Sequence, residues 1–243
     1  MRATLQPIAL LGALTAVLVG CSGAGTPMTM EAGKEVVWVR DAAEYDAAVI
    51  QAFRLAADQL EKLIAELEPG SWAVSLDADE TLLSNLGYSL RRVAVGGGWT
   101  QESWDVWVKD REATIMPGAL EFVVAIQELG GKVAIVTNRS QELCDATRDN
   151  LEDVGVEFDV IRCQRGSETK GARWEAIRTG EGTGLPPLEI VMWVGDNIHD
   201  FPELSQASDV TAVDELGVRF IVLPNPLYGS WENRPAPAAG KSE

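Results

Sequence analysis

Four short stretches of the 243-residue chain are almost continuously apolar: Trp72 to Leu76, Val133 to Val136, Ile190 to Val194 and Phe220 to Leu223, with a weaker one near Val160. A strand that is apolar on both faces must be covered on both faces, which is the condition of a parallel sheet rather than an antiparallel one. Segments with helical spacing separate most of these runs, at Gly118 to Leu129, Glu142 to Val154 and Lys170 to Thr179, and glycines at 130, 155 and 180 close them. Alternating strand and helix, joined by right-handed crossovers, predicts a doubly wound α/β domain. Before the first run, Asp41 and Glu44 read as a capping box. It would open an amphipathic helix carrying Tyr45, Val49, Phe53, Ala56, Leu60, Leu63 and Leu67 and ending at Pro69-Gly70. The interval from Asp77 to Lys132 is too long for one crossover, so about residues 83–115 should form a small helical cap over the carboxyl edge of the sheet.

The first twenty residues have the make-up of an export signal: Arg2, an apolar run from Ile8 to Val19, then small residues before Cys21. That run is too short to span a bilayer, which takes about 20 residues. Leu18-Val19-Gly20-Cys21 resembles the bacterial lipobox, which implies cleavage before Cys21 and acylation of its thiol. Residues 21–35 would then be a lipidated tether, 36–232 the folded domain and 233–243 a frayed tail. The expectation is an exported protein, lipid-anchored to a bacterial membrane at the outer membrane or cell surface. The net charge of −17, from 20 basic and 37 acidic residues, argues against nucleic acid and anionic lipid surfaces as partners. Cys144 and Cys163 remain once Cys21 is lipidated; they either pair, as export permits, or stay as two buried thiols. Oligomeric state is left open, a homodimer included.

In a sheet of this kind ligands collect beyond the carboxyl ends of the strands. Asp77, Asp79 and Thr81 follow the first run; Thr137, Asn138 and Arg139 the second; Asp196, Asn197 and Asp200 the fourth; Lys170 opens a helix. Four carboxylates on one edge repel unless a cation joins them, and oxygen donors alone suit Mg²⁺. A carboxylate can attack phosphorus to give an acyl phosphate, and Asp77 is placed to do so. Asp79, two residues on, can protonate the leaving oxygen and later take a proton from water. Lys170 and Thr137 would neutralise and orient the transferring group, with Asn138 beside them on the substrate side.

The segments VSLDADETLLSNLGY (74–88) and IVMWVGDNIHDF (190–201) resemble the two signatures of the class C acid phosphatases, a branch of the haloacid dehalogenase-like superfamily that includes bacterial lipoproteins. Trp104 to Val108, Pro117 to Phe122, Val136 to Arg139 and Leu223 to Glu232 also follow that family's pattern. Ala78 and Ile198 depart from it, where a larger aliphatic and a leucine are usual. The resemblance implies a Rossmann-like domain and hydrolysis of phosphate monoesters. It implies metal ligation by Asp77, the backbone carbonyl of Asp79 and Asp196, with Asp200 in support. It also implies that Trp99, from the cap, and Tyr228, from the closing segment, hold a substrate ring between them, which favours nucleoside 5′-monophosphates.

Other readings fail on inventory. An EF-hand loop beginning at Asp77 would need an Asp or Asn and a Gly where Thr81 and Leu82 stand. His199 is the only histidine, so histidine-based phosphatase chemistry and His-ligated zinc are excluded, and no C-x-x-C-H motif supports haem. Trp104 and Trp107 have the spacing of core residues on a cap helix. The alternatives kept are a surface lipoprotein that binds a ligand without turnover, and a phosphotransferase or sugar phosphatase of the same superfamily.

Overall fold

The structure is a computed structural model, described here for residues 31–234. The export signal, Cys21, most of the tether and residues 235–243 lie outside the described residues.

Five parallel strands form the central sheet: β1 (Trp72–Leu76), β4 (Lys132–Ser140), β5 (Val160–Gln164), β6 (Glu189–Gly195) and β7 (Phe220–Val222), in the order β5-β4-β1-β6-β7. Alternation along each strand splits the core in two. Trp72, Val74 and Leu76 of β1 join Val133 and Ile135 of β4 on one face. That face is covered by α2 (Ala43–Leu63), α5 (Ala119–Glu128) and α6 (Cys144–Asp153). Ala73, Ala134, Val136, Ile190 and Trp193 line the other face, beneath α7 (Lys170–Thr179) and the loop carrying Phe201. The small Ala73 and Ala134 leave room for Trp174 of α7, whose indole N–H donates to Ser75 Oγ at 3.0 Å. The sheet is thus wound on both sides.

Between β1 and β4 the chain makes the cap: β2 (Leu83–Ser84), α3 (Leu86–Ala94), α4 (Gln101–Asp110) and β3 (Thr114–Ile115). β2 and β3 pair antiparallel, Leu83 opposite Ile115, and so tie the two ends of the insertion together. Thr100 caps α4 by accepting the Ser103 N–H. Trp107 is buried in the cap, and its indole N–H donates to Asn85 Oδ1 at 2.7 Å.

The N-terminal helices correct the sequence reading. Asp41 does not cap the long helix; it ends a separate helix, α1 (Lys34–Asp41), and pairs with Arg40. Ala42 stands at the start of α2 with no side-chain cap. The tether therefore gives way to helix at Lys34, within the stretch read as unstructured. At the other end α2 stops at Leu63 rather than near Pro69, and turns carry the chain on. Cys144 and Cys163 form a disulfide that joins the start of α6 to β5. Among the described residues no helix is long and apolar enough to cross a membrane.

Candidate active site

The carboxyl ends of β1, β4 and β6 and the start of α7 meet beneath the cap. β1 delivers Asp77, which is 9% exposed. The turn that follows closes through Leu82 and Leu83 N–H groups on the Ala78 carbonyl, and puts Glu80 at φ 49°, in the left-handed region. β6 delivers Asp196, then a short 3₁₀ turn (Ile198–Asp200) in which Asn197 and Asp200 form a reciprocal capping box. Gly195 is required here: a Cβ on it would come within 2.2 Å of Asp200 Oδ2.

Lys170, buried at the first position of α7, lies between two acids, 2.6 Å from Asp77 Oδ1 and 2.7 Å from Asp200 Oδ1. Burial opposes its charge, but Asp200 and Asp77 outweigh that and hold the ammonium protonated. Asp196 Oδ2 accepts from Asn225 of the closing segment at 2.8 Å. Asp77, Asp196 and Asp200 each offer an oxygen within 4.8 Å of the others. Burial first, then the charges of Asp200 and Asp79, pushes the Asp77 carboxyl up to about 7 in spite of Lys170. Burial, Asp200 and Asp77 likewise raise Asp196. One lysine does not balance three acids. The cluster therefore fits a hard divalent cation, which oxygen donors hold and which would return these groups to their ionised forms.

Asp79 lines the same cavity and has partners of its own. Its Oδ1 accepts from Arg139 Nη2 at 2.7 Å, Arg139 Nε at 3.0 Å and Asn85 Nδ2 at 2.8 Å. Glu80, fully enclosed, accepts the Asn85 backbone N–H and side-chain amide at 2.7 and 3.0 Å, and also the Tyr228 hydroxyl. Burial and then the charge of Asp79 push Glu80 up to about 8. Thr137 is buried, its hydroxyl accepting the Arg139 N–H at 3.1 Å. Asn138 Oδ1 accepts from Arg173 at 2.7 Å, and Asn138 reaches the cavity wall.

That cavity, about 640 Å³, has Asp77, Asp79, Asp196 and Asp200 in its lining; Tyr88, Trp99 and Trp104 line it from the cap and Leu227 and Tyr228 from the closing segment. Tyr88 and Trp104 meet edge to face at 5.2 Å, which stiffens that side. Trp99 is 62% exposed. His199 is exposed, and its backbone N–H donates to Asn197 Oδ1 at 3.2 Å.

Arg139, Glu80, Asn85, Arg173 and Asn225 carry no role in the sequence reading. Arg139 stands directly after Thr137 and Asn138 at a strand end, and Glu80 sits inside the DADET turn, so position alone marked both. Asn85 and Asn225 offered no comparable signal.

Comparison with known proteins agrees with this geometry. The sequence profile of the HAD superfamily, subfamily IIIB (acid phosphatase), matches residues 23–231. The chain belongs to that family. Among solved structures of similar fold is the class C acid phosphatase from Bacillus anthracis, at a TM-score of 0.72 and 30% identity, covering 82% of this chain and 86% of that one. A tungstate-bound form of the same enzyme matches equally well. Acid phosphatase 1 of Solanum lycopersicum is 27% identical over 152 residues, 63% of this chain and 56% of that protein. Vegetative storage protein 1 of Arabidopsis thaliana is 27% identical over 161 residues, 63% of this chain and 53% of that protein. The chain thus spans about half the length of the curated relatives it matches. In this HAD subfamily IIIB chain, the acids of both sequence signatures line the cavity, Asp77 and Asp79 after β1 and Asp196 and Asp200 after β6.

Proposed function

We propose that the protein is a magnesium-dependent acid phosphatase that hydrolyses phosphate monoesters, nucleoside 5′-monophosphates among them, through an aspartyl-phosphate on Asp77. The observation that carries this reading is the convergence of Asp77, Lys170, Asp196 and Asp200 at the floor of a cavity with aromatic walls. Asp77 and Asp196, with the Asp79 carbonyl, would hold the metal, and Asp200 supports it through Lys170. When bound, Mg²⁺ neutralises the charge of the transferring phosphoryl group.

In the first step an Asp77 carboxylate oxygen bonds to phosphorus as the ester P–O bond breaks, and Asp79 gives a proton to the departing oxygen. In the second, water attacks the same phosphorus and loses a proton to Asp79. Inorganic phosphate leaves and the Asp77 carboxylate is restored. Lys170 keeps the Asp77 side chain aligned and offers its charge to the phosphoryl oxygens. Tungstate, bound by the related Bacillus anthracis enzyme, is a tetrahedral oxyanion, which supports a phosphoryl site in this family.

The aromatic walls set the substrate class. Trp99 and Tyr228 line one cavity, and stacking a base between rings contributes about 1–3 kcal/mol. Lipidation at Cys21 anchors the protein to a bacterial membrane after export; the Cys144–Cys163 disulfide suits an oxidising compartment. Its substrates are small phosphate esters and not nucleic acid. The test is kcat/KM for a nucleoside monophosphate and a small aliphatic phosphate, with magnesium, in the wild type, Trp99→Ala and Tyr228→Ala. A clamp predicts roughly tenfold or greater loss on the nucleotide alone. Equal losses on both substrates would remove the clamp from the account, and absence of turnover in the wild type would remove the activity.

A further inference from the structure

Arg139 is the most enclosed cation near the site: its side chain is 0% exposed, against 16% for its partner Asp79. Its fork grips one oxygen more than the other. Nε and Nη2 reach Asp79 Oδ1 at 3.0 and 2.7 Å, while Oδ2 receives only Nε, at 3.2 Å. Asn85 Nδ2 adds a third donor to Oδ1 at 2.8 Å. Oδ1 thus has three donors and Oδ2 only one, and Asp79 is part of the cavity lining. The guanidinium is itself fixed. It packs over the ring of Trp104, 5.6 Å from the centroid, and Nη1 and Nη2 lie 3.5 Å from Thr147 Oγ1 and 3.3 Å from Asn85 Oδ1. Trp104 and Asn85 belong to the cap, and Asn85 also holds Glu80, the partner of Tyr228.

We propose that Arg139 is a positioning residue: it pins Oδ1 of Asp79 so that Oδ2 is the oxygen that gives the proton to the leaving group. Trp104, over the guanidinium, ties that alignment to the cap. The inference rests on Asp79 being the acid of the proposed reaction. A guanidinium held in this way orients the carboxylate it binds, whereas a lysine would supply charge without orientation.

Leaving groups separate this role from a structural one. Departure of p-nitrophenolate needs little help from an acid, whereas departure of an alkoxide needs the proton. Because kcat/KM covers events up to transfer onto Asp77, it reports that difference directly. The experiment measures kcat/KM for p-nitrophenyl phosphate and an alkyl phosphate at saturating magnesium. The proteins are wild type, Asp79→Asn, Arg139→Gln, Arg139→Lys and the Asp79→Asn/Arg139→Gln double variant, each checked for folding by circular dichroism. A positioned acid contributes about 10²–10⁴-fold, and misplacing it by about 1 Å forfeits about 10²-fold. Both Arg139 variants should therefore lose about 10- to 100-fold more on the alkyl ester than on the aryl ester. The double variant should match Asp79→Asn in that ratio. If Asp79→Asn shows the selective loss but the Arg139 variants lose equally on both esters, or not at all, the proposal is overturned. If Asp79→Asn itself shows no selectivity, the acid assignment fails and this inference with it. Should Arg139→Gln not fold, Arg139→Lys decides on the same ratio.

Discussion

Replacing Glu80 by glutamine should flatten the pH dependence of stability, and the magnitude follows from its surroundings. Glu80 sits where the β1 turn, the cap and the closing segment meet, bonded to Asn85 and to the Tyr228 hydroxyl. Burial raises its carboxyl from 4.5 to about 8. The folded state therefore prefers the protonated form. Stability is greatest below the unfolded value and falls as pH rises from there through the folded value. Between pH 5 and pH 8, values of 4.5 unfolded and about 8 folded give a loss of about 3–4 kcal/mol from this group. That is an upper figure, because the Tyr228 hydroxyl bond favours the charged form. Glutamine is neutral throughout, and loss of a hydrogen bond in the variant affects both pH values alike. Urea unfolding of wild type and Glu80→Gln at pH 5 and pH 8, with EDTA throughout so that Asp77 behaves alike in both, measures the difference. The variant should gain on the wild type by roughly 2–4 kcal/mol between the two pH values. A stability difference that is the same at both would refute the reasoning.

The Cys144–Cys163 disulfide closes a loop with a sequence separation of 19, so replacing both cysteines by alanine should lower stability by about 3 kcal/mol in urea. Lys170→Met leaves Asp77 and Asp200 facing each other without a counter-charge, and should cut kcat by at least about 10²-fold with the fold retained by circular dichroism. Exhaustive chelation should abolish turnover and Mg²⁺ should restore it; unchanged rates after EDTA would contradict the metal role. Cys21→Ala should move the protein from the membrane fraction to the soluble exported fraction, as fractionation and immunoblotting would report.

How much of this was legible in the sequence differs by residue. Trp72–Leu76 and Ile190–Val194 announced themselves because a strand enclosed on both faces has no freedom to be polar. The acids that follow them were legible for the same reason, since a carboxylate placed after such a strand lies at the sheet's carboxyl edge. Helix α1 was not, because only Val36 and Val39 are buried in it and its apolar residues form one run, Val36 to Val39, rather than recurring at helical spacing. The false capping box has the same origin: Asp41 has the right type and spacing, but α1 had already claimed it. The partners of the site acids were illegible too. Arg139 grips Asp79 across 60 positions and Lys170 meets Asp77 across 93, and order along the chain brings residues to an edge without saying which of them pair. Glu80 reads as one more solvated acid until the cap and the closing segment are folded over it. The disulfide was one of two open readings, and the parallel pairing of β4 with β5, which sets Thr137 opposite Cys163, is part of what decides it.

The central claim is the covalent step at Asp77. Mixing the magnesium-loaded enzyme with a substrate labelled in its phosphoryl group, and quenching in acid within a single turnover, traps whatever carries the label. The account predicts label on the wild-type protein, mapped by peptide mass spectrometry to Asp77, and neither label nor turnover in Asp77→Asn. Turnover without protein-bound label, or label on another residue, would contradict it.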